Sequence, residues 1–340
     1  MEPLAEALVR RAEELGFSGV VRADRAGQTV IAEAFGFAER AFRSPNTLAT
    51  RFGTASGCKA FTALMVVALV EEGRLSLDTT ARSVLGTSLP EIDDRVTVEH
   101  LLAHRSGIGD YIDEDAGYDP NDYVMRVPVH QLATTESYLA ALEGTPQKDV
   151  PGERFSYNNS GYVVLALMAE RVTGTPFHAL VARTVCEPAA MHSTAYLRGD
   201  ELPADVARGY LGPDGLRTNV LHLPVLGSGD GGIYSTVEDL HRFWTALFDG
   251  RVVPLRWVRE MVRPRSDVPT EGRRYGLGFW VHRERDVVFL DGCDAGVGFR
   301  SVHDPSTAAT CTVMSNTTNG AWALAALFDD QRWVGGYDGA

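Results

Sequence analysis

The sequence predicts an α+β protein in which an antiparallel sheet, flanked by helices, is built from both chain ends, with a mostly helical domain inserted between. Two patterns carry that expectation. Apolar runs broken by turn residues occur near the N-terminus and again after about residue 270, whereas helical apolar spacing dominates from 97 to about 245. A third observation, the nearly all-apolar stretch 56–72, marks a helix buried at the centre. The expected divisions are 1–75 with 245–340 for the sheet domain and 76–244 for the helical insert, the two working as one unit.

Taken in order, MEPLAEALVRRAEELGF alternates charged and apolar residues at helical spacing and forms an opening helix. SGVVRADRAGQTVIAEAFGFAE then shows two apolar runs separated by DRAGQ, a β-hairpin near residues 18 to 38. Next comes the central helix, closed by Gly73. TVEHLLAH, SYLAALEG, GYVVLALMAERVTG, FHALVARTVCEP and TVEDLHRFWTALFDG carry helical signals. YGLGFWVHRE, RDVVFLDG, VGFRSVHDP and AATCTVMSN are strands, and AWALAALFDDQRWV is the last helix. There is no internal repeat, and only GDYIDEDAGYDPNDYV, at 109–124, is a loop of strongly biased composition.

A length of 340 residues, 44% of them hydrophobic, allows a large core. The net charge of −13, with no basic run, speaks against a nucleic-acid or anionic-membrane partner. The N-terminal segment lacks the uninterrupted apolar stretch of a secretory signal, and ALMVVALV at 63–70 is far short of the roughly 18 residues of a membrane span. Cys58, Cys186, Cys293 and Cys311 lie far apart with no CxxC pair, the usage of a reduced protein. A cytoplasmic protein is expected; its oligomeric state is not specified.

Lysine is scarce: of 32 basic residues only Lys59 and Lys148 are lysines. Arginine stays charged in any protein environment, whereas a desolvated lysine can lose its proton and act as a base. In Ser56-Gly57-Cys58-Lys59 the i, i+3 spacing puts the serine and the lysine on one helix face, within hydrogen-bond reach. A helix starting near Ser56 disfavours an ammonium at its positive end and favours negative charge developing at the serine. The rival role is an N-capping serine beside a snorkelling lysine. Scarcity of lysine and the lack of a second SxxK favour a nucleophile with its base. In SYNN, Tyr157 and Asn159 are two apart on an extended segment and point the same way. A phenol shuttles protons, and an amide holds both a lysine head and a carbonyl. Alone, the pair also fits a helix entry with an Asn cap and a packed tyrosine.

Together the two boxes carry a family likeness over nearly the whole chain. The sequence resembles the serine β-lactamase and penicillin-binding-protein superfamily, particularly the branch of class C β-lactamases, DD-peptidases and family VIII carboxylesterases. Beyond SxxK and YxN, VEHLLAHRSGI is similar to that branch's LLTHTSGL element, MHSTAY to its GMxxT turn, and GDGGIYSTVEDLHRFW to its GGLYSTAxDLARF helix start. The resemblance implies a β-lactamase/transpeptidase-like fold without metal or organic cofactor. It implies Ser56 as acylated nucleophile, Lys59 as general base, Tyr157 as proton relay, and Asn159 holding lysine and substrate. The third box, a KTG, HTG or WGG triplet before a GF pair, departs. Counting back from Gly298-Phe299 places it at Gly292-Cys293-Asp294, so the N–H of Ala295 is expected to complete an oxyanion hole with that of Ser56, and a one-residue shift substitutes Asp294.

Other patterns point to weaker chemistry. Glu99, His100 and His104 resemble a zinc-helix spacing, but no HExxH order and no third ligand is present. No GxSxG elbow exists. Cys293 reads as a small strand residue more than as a reactive thiol, and the 109–124 loop as a solvated insert that lacks EF-hand spacing. The expected function is hydrolysis of a small-molecule ester or amide through an acyl-enzyme on Ser56. The rivals are a β-lactamase or D-amino-acid peptidase, disfavoured by the lack of an export signal, a biosynthetic transacylase, and a non-catalytic acyl-binding protein. With Asp291 and Asp294 near the third box, neutral or amine-bearing substrates are expected to be preferred over anionic ones, unless Arg300 points inward.

Overall fold

The computed structural model describes residues 4–114, 117 and 119–329. After helix α1 (Leu4–Glu14) come strands β1 (Gly19–Arg25) and β2 (Gln28–Phe35). Ala26 and Gly27 between them both have positive φ, +50° and +76°, the two-residue reversal that suits the twist of a hairpin. Helices α2 (Lys59–Glu71), α3 (Asn159–Thr173) and α4 (Val237–Phe248) are the longer elements of the middle. The remaining sheet strands are β3 (Ser266–Val268), β4 (Arg273–Tyr275), β5 (Trp280–His282), β6 (Val288–Asp294), β7 (Val297–Asp304) and β8 (Ala309–Ser315), followed by helix α5 (Trp322–Asp329).

All eight strands form one antiparallel sheet in the order β2-β1-β8-β7-β6-β5-β4-β3. Pairing of β1 with β8 joins the two chain ends, Gly19 opposite Ser315 and Asp24 opposite Thr310. Side chains alternate faithfully across the sheet. Val21, Phe289, Val302 and Val313 pack with Leu8, Leu324 and Phe328 of the outer helices, while Val20, Leu290, Phe299 and Met314 pack into the larger core around α2. Ten of the thirteen residues of α2 are buried, because α3 and the helical segments 177–186 surround it on the face away from the sheet.

The structure departs from the sequence pattern in short elements. The short helix Leu255–Val262, amphipathic with Val258 and Met261 buried, and the three-residue edge strand β3 are additions to the expected elements. The inserted stretch also holds Ala195–Tyr196 and Ile233–Ser235; the latter pairs with Ala195–Tyr196 on one side and with Phe52–Gly53 on the other, a small sheet next to the turn that carries Ser56. Strands of two or three residues are too short to show period 2. The last helix is observed to Asp329, and the remainder of AWALAALFDDQRWV lies outside the described residues.

His303 on β7 shows how thoroughly this core excludes water. Its ring stacks on Trp244 (5.4 Å between centroids) and Phe248 (4.9 Å), with Nδ1 against Thr310 Oγ1 at 2.8 Å. Burial pushes its pKa down to about 4. An unfolded histidine takes its proton near 6.5, so between about 6.5 and 4 the unfolded chain binds the extra proton and stability falls with falling pH, by roughly 3 kcal/mol at most. Urea unfolding at pH 7 and pH 4.5 should therefore show a smaller loss for His303→Gln than for the wild type. An equal loss in both proteins assigns the effect to other groups.

Candidate active site

Ser56 sits in a 3₁₀ turn, Ala55–Cys58, that runs directly into α2. Ala55 is held at φ +45°, a conformation costly for a residue with a side chain and the mark of a turn imposed by its surroundings. Those surroundings are close. The backbone of Gly292 on β6 lies against the turn, so that a methyl there would meet Thr54 O at 2.0 Å and Gly57 N at 3.0 Å; a methyl on Gly57 would meet the Phe299 ring at 2.3 Å. Glycine at both positions lets strand and nucleophile turn touch.

Lys59 is 2% exposed, and its Nζ lies 2.9 Å from Ser56 Oγ, 2.7 Å from Asn159 Oδ1 and 2.8 Å from the carbonyl oxygen of Asp230. The i, i+3 pairing of serine and lysine is thus present, though Ser56 belongs to the 3₁₀ turn and the α-helix begins at Lys59. Tyr157 stands beside Ser56 in the same clefts, and its ring lies 4.9 Å from Lys59 Nζ, stacked on Trp280 and tilted against His104. Burial, reinforced by Glu114 and opposed by the neighbouring Ser56 hydroxyl, holds its pKa well above the ordinary phenol value, so it is a protonated phenol at neutral pH. Asn159 opens α3, where Asn158 is the N-cap and accepts from the Gly161 N–H at 2.7 Å.

Several residues that position this set were read otherwise from sequence or not singled out. The first part of the 109–124 loop is a wall of the site. Asp110 accepts from the N–H groups of Asn159 (2.7 Å) and Ser160 (3.0 Å), Tyr111 donates its hydroxyl to Asp230 at 2.5 Å, and Glu114 accepts from Asn159 Nδ2 at 3.1 Å. Burial raises Asp110 to about 6 against the pull of those N–H donors. The close small residues of SGIG before Asp110 were the available hint. His104, at φ +53°, receives the Ser156 N–H on its carbonyl and the Asn158 N–H on Nδ1, which fixes the segment carrying Tyr157. His100 accepts from the Thr97 N–H in a helix cap.

The third box needs a correction. Trp280 of β5 pairs with Phe289, and β5 reaches no further along β6, which leaves the edge from Leu290 to Asp294 open. The His282 N–H bonds to the Val287 carbonyl across β5 and β6. Alternation from that pair turns the backbone groups of 289, 291 and 293 toward the open edge and those of 290, 292 and 294 toward β7. The N–H beside Ser56 is therefore that of Cys293, one residue past Gly292. Ala295 lies beyond the strand end in the β6–β7 turn, with its carbonyl bonded to Asn219 Nδ2 at 2.8 Å. The sequence register was two residues too late because the GF pair was counted back without the two-residue turn at Ala295-Gly296.

The side chains of this strand separate by face. Asp294 turns into a narrow cleft lined also by Ser56, Asn159 and Asp230, with an enclosed volume of only about 70 Å³ before it opens to solvent. Burial raises the Asp294 pKa to about 7, with Lys59 opposing and Asp230 and Glu114 adding to the rise. Asp291 and Cys293 face a second, wider cleft with Tyr157, Trp280 and Arg300. There Arg300 binds Asp291 through Nε (2.8 Å) and Nη2 (3.0 Å), and Arg273 grips the same carboxylate. Cys293 is half-buried, with its thiol pushed up to about 12 by burial, so it is no thiolate nucleophile.

Gly292→Ala tests the contact between strand and turn. The added methyl must push Thr54 and the Ser56 turn away from the Cys293 N–H, so we expect at least a hundredfold loss of kcat/KM together with overpacking destabilisation of about 1–3 kcal/mol. Turnover within threefold of wild type would show that the two do not need to touch.

Comparison with known proteins agrees with this geometry. The family model described as Beta-lactamase matches residues 4–332. A penicillin-binding protein of Bacillus subtilis (strain 168) is 30% identical over 286 residues, 79% of this chain and 60% of that protein. The D-aminopeptidase of Brucella anthropi is 29% identical over 286 residues, 82% of this chain and 52% of the other. The chain thus spans less than two thirds of the length of these curated relatives. Among solved structures, a penicillin-binding protein from Bacillus halodurans superposes with a TM-score of 0.88 at 35% identity, covering 95% of this chain and 99% of that one. With the family model extending over nearly all of its length, and the Ser56–Lys59–Tyr157 cluster assembled at the junction of sheet and helices, the chain belongs to the Beta-lactamase family of serine hydrolases.

Proposed function

We propose that this protein cleaves carboxylic esters or small amides through an acyl-enzyme on Ser56. The observation that carries the reading is the 2.9 Å contact between Lys59 Nζ and Ser56 Oγ, with Tyr157 beside the same serine in the wide cleft. As the Ser56 Oγ–carbon bond forms, the hydroxyl proton passes to Lys59, whose Nζ is steadied by Asn159 Oδ1 and the Asp230 carbonyl. The carbonyl oxygen takes negative charge between the N–H groups of Ser56 and Cys293. When the tetrahedral centre collapses, Tyr157 gives its phenolic proton to the leaving oxygen or nitrogen and is reprotonated from Lys59. Water then attacks the acyl carbon along the reverse proton path and frees Ser56.

Charge preference follows from the wider cleft. Arg273 and Arg300 both grip Asp291, and Glu114 and Glu271 line the same cleft, so its carboxylates outnumber its arginines by one and a substrate carboxylate gains no net attraction there. We therefore propose neutral or amine-bearing substrates in preference to penicillins and cephalosporins. The curated relatives include Esterase EstB of Burkholderia gladioli, 31% identical over 182 residues, which accords with ester cleavage. A reduced, cytoplasmic setting accords with the four free cysteines. Among the described residues no helix is long and apolar enough to cross a membrane.

Two sets of measurements test this function. Ser56→Ala should abolish turnover of p-nitrophenyl esters and labelling by a fluorophosphonate, while the thermal transition shifts little; activity within tenfold of wild type would sink the mechanism. Lys59→Arg should be nearly as damaging as Lys59→Ala, because arginine keeps the charge and cannot serve as a base. In the second set, a neutral ester is compared with its carboxylate-bearing analogue and a chromogenic cephalosporin, and kcat/KM should favour the neutral ester by tenfold or more. A preference for the anion that disappears in Arg300→Ala would restore a β-lactamase-like specificity.

A further inference from the structure

As the serine proton crosses to Lys59, a full positive charge appears on Nζ in a place from which water is nearly excluded. The groups around that nitrogen decide how the charge is met, and most cannot meet it. Cys58 of the nucleophile turn, Tyr157 with its ring 4.9 Å from Nζ, Tyr162 of α3 with its ring at 5.8 Å, and Tyr275 of β4 are all held protonated by burial. Burial shifts His104 the opposite way and keeps it neutral. Ser56 and Asn159 offer dipoles without charge. Glu114, exposed to solvent, spends its carboxylate on Asn159 Nδ2. Among the described residues that face Lys59, the carboxyl groups left to answer it are Asp230 and Asp294.

These two differ in placement. Asp294 is partly exposed in the narrow cleft, where solvent screens it. Asp230 is 7% exposed, and its own carbonyl oxygen is the 2.8 Å acceptor of Lys59 Nζ. Its carboxylate is joined to that carbonyl carbon through Cα and Cβ alone, so it stays in the same buried neighbourhood. Gly229 brings the segment in, since a methyl there would meet the Tyr162 carbonyl oxygen of α3 at 2.0 Å. The buried Tyr111 hydroxyl donates to Asp230 Oδ2 at 2.5 Å, the short separation of a charge-assisted O–H···O bond. Burial pushes the Asp230 carboxyl toward its neutral form, and the charge of Lys59 is the first influence that opposes it, ahead of the Tyr111 bond. Such coupling is mutual: what Lys59 does for the carboxylate, the carboxylate does for the ammonium.

We propose that Asp230 is a positioning residue that acts through Lys59: its carbonyl fixes Nζ, and its carboxylate, gripped by Tyr111, answers the ammonium formed as Ser56 attacks. The bond changes themselves do not involve it. The Oγ–H bond breaks as the Oγ–carbon bond forms, the proton joins Nζ, and the carbonyl π electrons move to the oxygen between the N–H groups of Ser56 and Cys293. Asp230 forms no bond and takes no proton; it lowers the energy of the charge-separated arrangement. The inference rests on the acyl-enzyme reading and adds a counter-charge that the proton path alone does not specify. The same carboxylate also favours the ammonium in the free enzyme, so the acidic limb of the rate profile lies at higher pH than it would without Asp230.

The test is the pH dependence of kcat/KM for p-nitrophenyl acetate, which does not itself titrate, measured on the whole chain. Asp230→Asn keeps the carbonyl for Nζ and an oxygen for the Tyr111 hydroxyl, and removes the charge. Its acidic limb should move to lower pH by about one unit or more, and its plateau should fall at least tenfold, because a base that releases its proton more readily also takes one less avidly. Tyr111→Phe keeps the ring and leaves the buried carboxyl without its donor, which favours the neutral acid, so its limb should move the same way. Asp294→Asn should move the limb less than half as far as Asp230→Asn. A limb that stays in place in both Asp230→Asn and Tyr111→Phe, whatever the plateau does, leaves Asp230 a structural residue and overturns the inference. A larger shift in Asp294→Asn than in Asp230→Asn overturns it too. If Asp230→Asn does not fold, Tyr111→Phe decides the question by itself. Fluorophosphonate labelling of wild-type Ser56, read by intact mass, stands apart from these profiles: a chain that does not label overturns the acyl-enzyme reading, and one that labels while the limb is unmoved overturns the role of Asp230 alone.

Discussion

A single buried amine organises this protein. Lys59 lies almost wholly out of water, and a lysine head in such a place is tolerated only when its N–H directions are met by acceptors. The three acceptors come from three separate parts of the chain: the serine one turn earlier, the first residue of α3, and the carbonyl of a glycine-rich segment near residue 230. Satisfying Lys59 therefore locks the nucleophile turn, the helical insert and the 227–232 segment into one arrangement. The rest of the site follows from that lock. Asp110 is needed to place Asn159, His104 to place Tyr157, and Gly292 to let the sheet approach the serine.

The same lock divides the surroundings of Ser56 by charge. On the wide side, Asp291 is held between two arginines as a fixed ion-paired wall. On the narrow side, the partly exposed Asp294 shares a cleft with tyrosine rings. Strand alternation produces the division: Asp291 and Cys293 face one way, Gly292 and Asp294 the other, so that four successive residues supply an ion-paired wall, a close backbone approach, an N–H on the open strand edge and a second carboxylate. Specificity here is a matter of which strand face a carboxylate occupies, and acidity of the sequence as a whole does not reveal it.

How far the sequence could be read is clear from particular residues. The long periodic elements were legible, since ten buried residues in α2 and the alternating strands β1, β6, β7 and β8 announce their environment through repeated apolar positions. Two-residue strands have no such repetition to show, whereas Leu255, Val258, Met261 and Val262 do recur at helical spacing and mark a helix absent from the sequence expectation. Of the site, Ser56, Lys59, Tyr157 and Asn159 stood out because their spacing alone puts pairs of them on one face, and the structure brings all four together.

What the sequence by itself determined is the chemistry available within single elements: a serine and a lysine one turn apart, a tyrosine and an asparagine two residues apart, and an arginine-rich surface on which one lysine is kept for the interior. Tertiary structure alone decided which neighbours those elements meet. The loop at 109–124 has the composition of a solvated insert, yet Asp110, Tyr111 and Glu114 are drawn in because α3 needs an acceptor at its N-terminus and Asp230 needs a donor. The N–H that reaches the open edge is that of Cys293 and not that of Ala295, because hydrogen-bond alternation across β5, β6 and β7 decides which N–H groups point there. Contacts between residues a hundred or more positions apart leave no periodic trace in either segment, so only the folded chain could assign them.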